Sequence, residues 1–583
     1  MQKPDFMTNM HIGVIGSPST TGALTIDILE KSAAEKLVGE MLIFEYEQDG
    51  LPHYALGQVT EVELRNQWLE RTTMRSVARQ KGYVYPISGT QDVHIAKMVV
   101  GAVFSYNGSG FEPSILGTVP PTGTPLIRVS DKILDDILSY RKDEIFYLGN
   151  IYGSDTKMPF WFKHFDTGRE GAGEAYHIGI FGKTGSGKSV LAKMILTAYA
   201  RHKNMGIIVI DPQGEFSADL RGDVTLGGFK LDLKRVLEES LRRKTNVLSI
   251  KNLVLDRWDL FSEILYESTF FEKLTIPTGD NRRLACETLV DKLKKAKVKL
   301  TDLHERSAFE KAWKILLDED TQKIFYRSSD SRARFNSMIR SVDTDEFYEI
   351  WYSIANLFNP KRGNVVSIDN VLKNVFTEEE KSILVIDLSE ESAGEIHWNE
   401  SIQARFIKRI LEGVRYEAEK AYKAGKSLNT LVLLDEAHRL APREKPDNEQ
   451  YQNIRSLLLD AVRTTRKYGL GWMFISQTLS SLHREIINQL RIMFFGFGLS
   501  MGVELQALKE IVGGNPEILG LYQSFKDPHS SFDIRNREYP FMTVGPVSPL
   551  SFSGTPLFFT AFNRPEEFLN ANSLAFQTKL FQL

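Results

Sequence analysis

Lys188 and Ser189 close a glycine-rich turn, Gly182-Lys183-Thr184-Gly185-Ser186-Gly187, and Val190 follows them. The pattern G-x-x-x-x-G-K-[ST] wraps a phosphate chain in backbone N–H groups. Its glycines let those groups turn inward. Lys188 reaches the β- and γ-phosphates of a nucleotide, and Ser189 puts its hydroxyl on a magnesium ion. The apolar residues Ile178, Ile180 and Phe181 feed the turn, and the helix-forming stretch VLAKMILTAYARHK leaves it. The pattern requires that strand–loop–helix setting, and the helix start adds its positive dipole end. A chance glycine turn would lack both flanks, so residues 182–190 are expected to bind nucleotide.

A second set of residues supplies hydrolytic chemistry. In LVLLDE (431–436), Asp435 ends an apolar strand and can hold the magnesium ion through its water shell. Glu436 can polarise a water for in-line attack on the γ-phosphate. A lone Asp-Glu pair after a strand is a weak signal; with a phosphate loop upstream, both parts of a magnesium–triphosphate site are present. Gln477, at the end of the strand in GLGWMFISQT, is expected to sense the γ-phosphate or orient the water, the alternative being a satisfied strand-end amide. Arg466 is the preferred donor of a positive charge to a neighbouring subunit's site, with Arg463 secondary and Arg169 and Arg491 weaker. A surface arginine is the alternative for each. Asp211 and Glu215, in GIIVIDPQGEF, end another strand and are either site acids or helix-capping acids. His438 has no histidine or cysteine partner at ligand spacing, so no zinc site is assigned.

These residues need a sheet to hold them. The segments 382–390, 429–442, 469–478 and 490–499 hold four nearly continuous apolar strands separated by helical stretches, and GIIVIDPQGEF (206–216) holds another that ends in Asp211. That pattern predicts an α/β fold with a buried, mostly parallel sheet. Residues 1–150 instead show short β-branched and aromatic runs parted by glycine and proline turns, which predicts a small barrel or sandwich. Arg65 to Gln80 reads as an inserted loop or short helix. The expected order is an N-terminal β-barrel (1–150), a first core part (151–229), a helical insertion (230–380), a second core part (381–545) and an apolar C-terminal segment (546–583). The basic run Arg282 to Lys299 reads as a solvated helix face, with an acidic or DNA partner as the alternative.

The composition excludes several classes. A chain of 583 residues exceeds one compact core. Its net charge of −3 announces no global affinity for nucleic acid. One cysteine, Cys286, forms no internal disulfide and fits a reducing cytoplasm. No signal peptide is read at the start, and no run reaches the roughly 18 apolar residues of a membrane helix.

The segments HIGIFGKTGSGKS, IIVIDPQGEF, ILVIDLS, LVLLDEAHRLAP and TTRKYGLGWMFISQ, in this order, resemble the HerA branch of the HerA/FtsK hexameric ATPases. The N-terminal β-rich part is similar to the barrel that precedes the motor there, and the apolar tail to the C-terminal brace. The resemblance implies a RecA-like P-loop core, ATP and Mg2+, a homohexamer with ATP at subunit interfaces, and a channel for double-stranded DNA. It also implies an effector partner, a nuclease or a sirtuin-like NAD-consuming enzyme, the latter in bacterial antiviral systems. Lys188 and Ser189 match the loop pair, Asp435 the magnesium acid, Glu436 the base, Gln477 the sensor and Arg466 the arginine of an RKxG element. The chain departs from the family at Gln213, often His or Asn there, and at Thr465, where GRK is usual. Two functions follow as expectations: a motor on duplex DNA, or an ATP-regulated ring that assembles and activates an effector. The DEAH of 435–438 also mimics a two-domain helicase box, but too little chain follows for a second motor domain.

Overall fold

The computed structural model describes residues 6, 10–71, 75–76, 80, 91–168, 171–222, 231–377, 379–393, 398–533, 536–551 and 554–574. The chain divides into two compact units, one of residues 1–202, 225–241 and 473–583, the other of 203–224 and 242–472.

The first unit begins with a closed barrel. Its strands are β1 (His11–Ile15), β2 (Leu24–Ile28), β3 (Met41–Gln48), β4 (Leu51–Arg65), β5 (Val93–Tyr106), β6 (Phe111–Ser114) and β7 (Pro125–Arg128). They run in the order β2-β1-β7-β3-β4-β5-β6, and a further β2–β5 pairing closes six of them into a ring. β4 and β5 are long and shift register between Leu56 and Gly57 and between Val59 and Glu61. Such bulges bend a strand pair, which is how two strands serve a curved wall. Ile15, Ile26, Leu42, Phe44, Val59, Met98 and Leu126 fill the interior. Each contributes about 1.5–3 kcal/mol by leaving water. After β4, Asn66 caps the short helix Gln67–Glu70 by accepting the Trp68 and Leu69 amides. Residues 72–74 and 77–79 of the expected 65–80 insertion lie outside the described residues.

The same unit holds a sheet. The strand Ile178–Phe181 lies between parallel neighbours, Leu470–Ser476 and Ile492–Gly496. Tyr539–Val544, Leu557–Ala561, Phe146–Ile151 and Lys157–Phe160 continue the sheet in antiparallel fashion. The apolar tail thus enters the sheet: Phe559 pairs with both Phe541 and Ile151.

The second unit has a parallel sheet, Thr245–Ser249, Ile383–Asp387, Gly206–Asp211 and Thr430–Leu434 in spatial order. Thr245–Ser249 falls inside the stretch read as helical. It has five half-buried residues, too few to break the surrounding helical pattern. The helices of this region enclose an aromatic core. Trp351 is fully buried, its ring 5.2 Å from Phe261 and 6.0 Å from Phe270. The basic run is partly consumed inside the fold. Arg282 is buried and donates to the Ile276 and Tyr266 carbonyls, and Lys292 pairs with Asp318. Among the described residues, no helix is long and apolar enough to cross a membrane.

Candidate functional site

The phosphate loop leaves a strand held from both sides. Ile178 to Phe181 pair with Met473 to Ser476 and with Ile492 to Phe495, and all of them are buried. The loop's starting point is therefore fixed. The Lys183 amide donates to the Phe497 carbonyl at 3.0 Å, which ties the first turn to the neighbouring strand's end. The helix Lys188–Ala200 follows, and its cap is Gly187 at φ +87°, with no side-chain hydrogen bond to the first turn. The backbone donors of that turn therefore receive no acceptor from the cap side chain.

Two loop glycines are needed for more than their dihedral angles. A Cβ on Gly185 would lie 1.9 Å from Cε1 of His529, and one on Gly187 would lie 2.7 Å from Cδ1 of Tyr539. Both also sit in the left-handed region, at φ +80° and +87°. His529 and Tyr539 thus press on the loop, and sequence reasoning did not find them. They follow the loop by hundreds of residues and carry no motif, so only the antiparallel return of the chain beside Ile492–Gly496 brings them there.

Inside the loop, Lys188 Nζ donates to the Lys183 carbonyl at 3.1 Å. The Ser186 hydroxyl is buried without a hydrogen-bond partner. An orphaned buried hydroxyl costs free energy, and a phosphate oxygen would supply its acceptor. The loop therefore fits a phosphate chain. Gln477 is in the same unit and reaches the loop: Thr184 Oγ1 donates to Gln477 Oε1 at 3.1 Å. Arg491 stacks its guanidinium 5.8 Å from the Tyr176 ring centre.

The acids belong to the second unit. Register aligns Asp211 with Asp387 and Ile210 with Leu434, so Asp435 leaves its strand at the same end. Asp435 is 4% exposed and accepts the Glu436 amide at 2.8 Å. Burial pushes its carboxyl up to about 7, and the charges of Glu215, Glu436 and Asp211 add to the push. Glu436 sits at φ +51°, in the left-handed region, at the turn into the helix Ala437–Leu440. A non-glycine residue there costs roughly 1 kcal/mol or more, a strain found at functional turns. His438 Nδ1 lies 3.4 Å from Glu436 Oε2.

Asp211 has a structural task. Its Oδ1 accepts the Gly214 and Glu215 amides, and its Oδ2 accepts the Ser217 amide and hydroxyl, at 2.7–3.2 Å. It caps the helix Glu215–Arg221, on whose first turn Glu215 stands. Of the two readings open for Asp211, the structure displays the capping one. Arg463 ends the helix Glu449–Thr464, and Arg466 follows in the turn Thr465–Tyr468; both are exposed. Arg169 lies outside the described residues.

Among the described residues, no group of three or more His, Cys, Asp or Glu is arranged to hold a metal ion. A magnesium ion does not require one, since it keeps several waters and takes substrate phosphate oxygens. Asp435, a buried carboxylate crowded by other acids, is of the donor type that such an ion takes.

Residues 175–414 match the family described as helicase HerA, central domain. Solved structures to which the chain is similar include VirB4 of Thermoanaerobacter pseudethanolicus. It is 16% identical over 72% of this chain and 97% of its own, with a TM-score of 0.37. The bacterial conjugative coupling protein TrwB is 12% identical over 75% of this chain and 92% of its own, with a TM-score of 0.38. The genome packaging NTPase B204 from Sulfolobus turreted icosahedral virus 2, solved with ATP-gammaS, is 10% identical over 66% and 98%, with a TM-score of 0.28. A search of curated proteins found no significant match. The sequence of 175–414, with its intact phosphate loop, carries the likeness to the HerA central domain, and these low-scoring superpositions do not.

Proposed function

We propose that the protein hydrolyses ATP as a homohexamer and uses the energy to translocate or remodel double-stranded DNA beside an effector enzyme. The observation that carries this reading is the phosphate loop, which lies inside a HerA central-domain match and has Gln477, from beyond that match, against its Thr184. The loop amides and Lys188 bind and orient the triphosphate. Glu436 takes the proton of the attacking water, and Gln477 orients that water or senses the γ-phosphate. Ser189 and Asp435 would hold a magnesium ion, which when bound neutralises phosphate charge during transfer. Arg466 is proposed to act on the site of the adjoining subunit. The effector is a nuclease or a sirtuin-like NAD-consuming enzyme, the setting is antiviral defence, and the compartment is the cytoplasm. The test is ATP turnover with and without duplex DNA across a salt series. Stimulation that fades as salt rises supports the motor, because phosphate contacts release counterions. DNA without effect at any salt would sink it.

A second reading has its own support. The net charge is −3, and part of the basic run at 281–300 is spent on contacts inside the fold. Both favour a ring that assembles and activates an effector, with little DNA pumping of its own. Turnover that changes only when a partner protein is added would favour that reading.

A further inference from the structure

Glu504 stands in the first turn of the helix Gly502–Val512. Its carboxylate reaches across to the turn that follows the strand Leu470–Ser476. Oε2 accepts the Leu479 amide at 2.8 Å and the Ser480 amide at 3.2 Å, and Oε1 accepts the Ser480 hydroxyl. On the other side of the turn, the Ser476 hydroxyl donates to the Thr478 carbonyl at 2.7 Å. Gln477 stands between these two anchors. With Oε1 engaged by Thr184 Oγ1, the end of its amide that can approach a phosphate oxygen is the Nε2 donor.

Packing does not account for the capture. Leu508 is the one buried residue of the helix, while Val503 is 72% exposed and Met501 just before it is 78% exposed. Taking a carboxylate out of water costs free energy unless donors replace the solvent, and here three donors of one turn do so.

We propose that Glu504 is the positioning residue of Gln477: it locks the 478–480 turn so that the amide faces the phosphate loop. The proposal rests on the ATPase reading above. The Glu504 carboxylate is spent on the amides of Leu479 and Ser480 and the Ser480 hydroxyl, so its loss is expected to act through Gln477. The test is a double-mutant cycle on steady-state ATP turnover by the full chain. Glu504→Ala is expected to lower kcat about tenfold or more while KM for ATP moves less than about twofold. In a Gln477→Ala background the same change is expected to add nothing. Glu510→Gln, on the same helix as Glu504, breaks an exposed pair with Arg484 of another helix and is expected to leave turnover unchanged. If Glu504→Ala fails to fold, Ser480→Ala removes one of the three donors and runs the same cycle. Full multiplicative losses from the two sites would overturn the proposal, as would a KM that rises in step with the fall in kcat. Lys188→Ala separates the two readings: if it leaves turnover intact, the ATPase site itself is misassigned, whereas a dead Lys188→Ala with an additive cycle sinks the Glu504 role alone.

Discussion

Asp435 carries a conflict between stability and chemistry. Its carboxyl, ordinarily at 3.8, is pushed up to about 7 by burial and by neighbouring acids. The folded chain therefore holds that proton more tightly than the unfolded chain. Stability from this group is fully present below about pH 4 and is lost as pH rises toward 7. Asp435→Asn can still accept the Glu436 amide and carries no charge. It is expected to raise stability at pH 8 by about 1–4 kcal/mol and to abolish turnover. Denaturant unfolding at pH 5 and pH 8 checks the sign: the gain should shrink at the lower pH. Glu436 presents a different trade. Glu436→Gln keeps the shape of the side chain and removes the proposed base, so on that proposal ATP should remain bound but uncut. Equilibrium binding of a fluorescent ATP analogue beside turnover would show it, and hydrolysis at the parental rate would refute the assignment. Lys188→Ala should lose both, by at least about a hundredfold in kcat/KM.

The elements show which parts of this arrangement were legible from the sequence. The continuous apolar runs around 206–211, 383–387 and 430–434 read as buried parallel strands, because burial on both faces removes polar alternation. The loop and the Asp-Glu turn were legible because their chemistry demands fixed residue types. Thr245–Ser249 was not, since its pattern is half-buried throughout. Nor were His529, Tyr539 and Glu504, whose partners are set by sheet topology rather than by spacing. The tail was legible only as apolar. Its place in the sheet depends on Gln58 of β4, which is buried. Gln58 Nε2 donates to the Phe558 and Gly39 carbonyls, and its Oε1 accepts the Phe558 amide at 2.8 Å. Gln58→Leu would remove the Gln58 partner of the Gly39 carbonyl and the Phe558 amide, while the Phe558 carbonyl keeps the Tyr152 amide. It is expected to cost about 2–5 kcal/mol, read as a lowered unfolding midpoint. An unchanged midpoint would mean that the Gln58 hydrogen bonds add nothing to the junction of barrel and tail strand. Gly185→Ala tests the loop in the same way. The added methyl meets His529 at a positive φ, so nucleotide affinity should fall even though no phosphate ligand is removed.

At the scale of the whole molecule, the open matter is whether one chain suffices for turnover. Arg463 and Arg466 stand exposed at the end of the helix Glu449–Thr464 and in the turn that follows it. An exposed arginine is dispensable if it serves only solvation, and indispensable if it completes a neighbour's site. Mixing separates these cases. Arg466→Ala alone should bind ATP with little change and fail to cut it. Lys188→Ala alone should also be dead, yet it retains its own Arg466. If arginine is supplied in trans, assemblies formed from the two dead variants contain junctions with an intact loop on one subunit and an intact arginine on the next. Turnover should then reappear on mixing, and should scale with the fraction of such junctions as the ratio is varied. An arginine acting within its own chain cannot be rescued in this way, because each chain then carries one broken part of its own site. Native mass measured on the same mixtures ties the recovered activity to the oligomer. Recovery in a species of single-chain mass, or none in a fully assembled ring, would remove Arg466 from the neighbour's site and the subunit-interface mechanism with it.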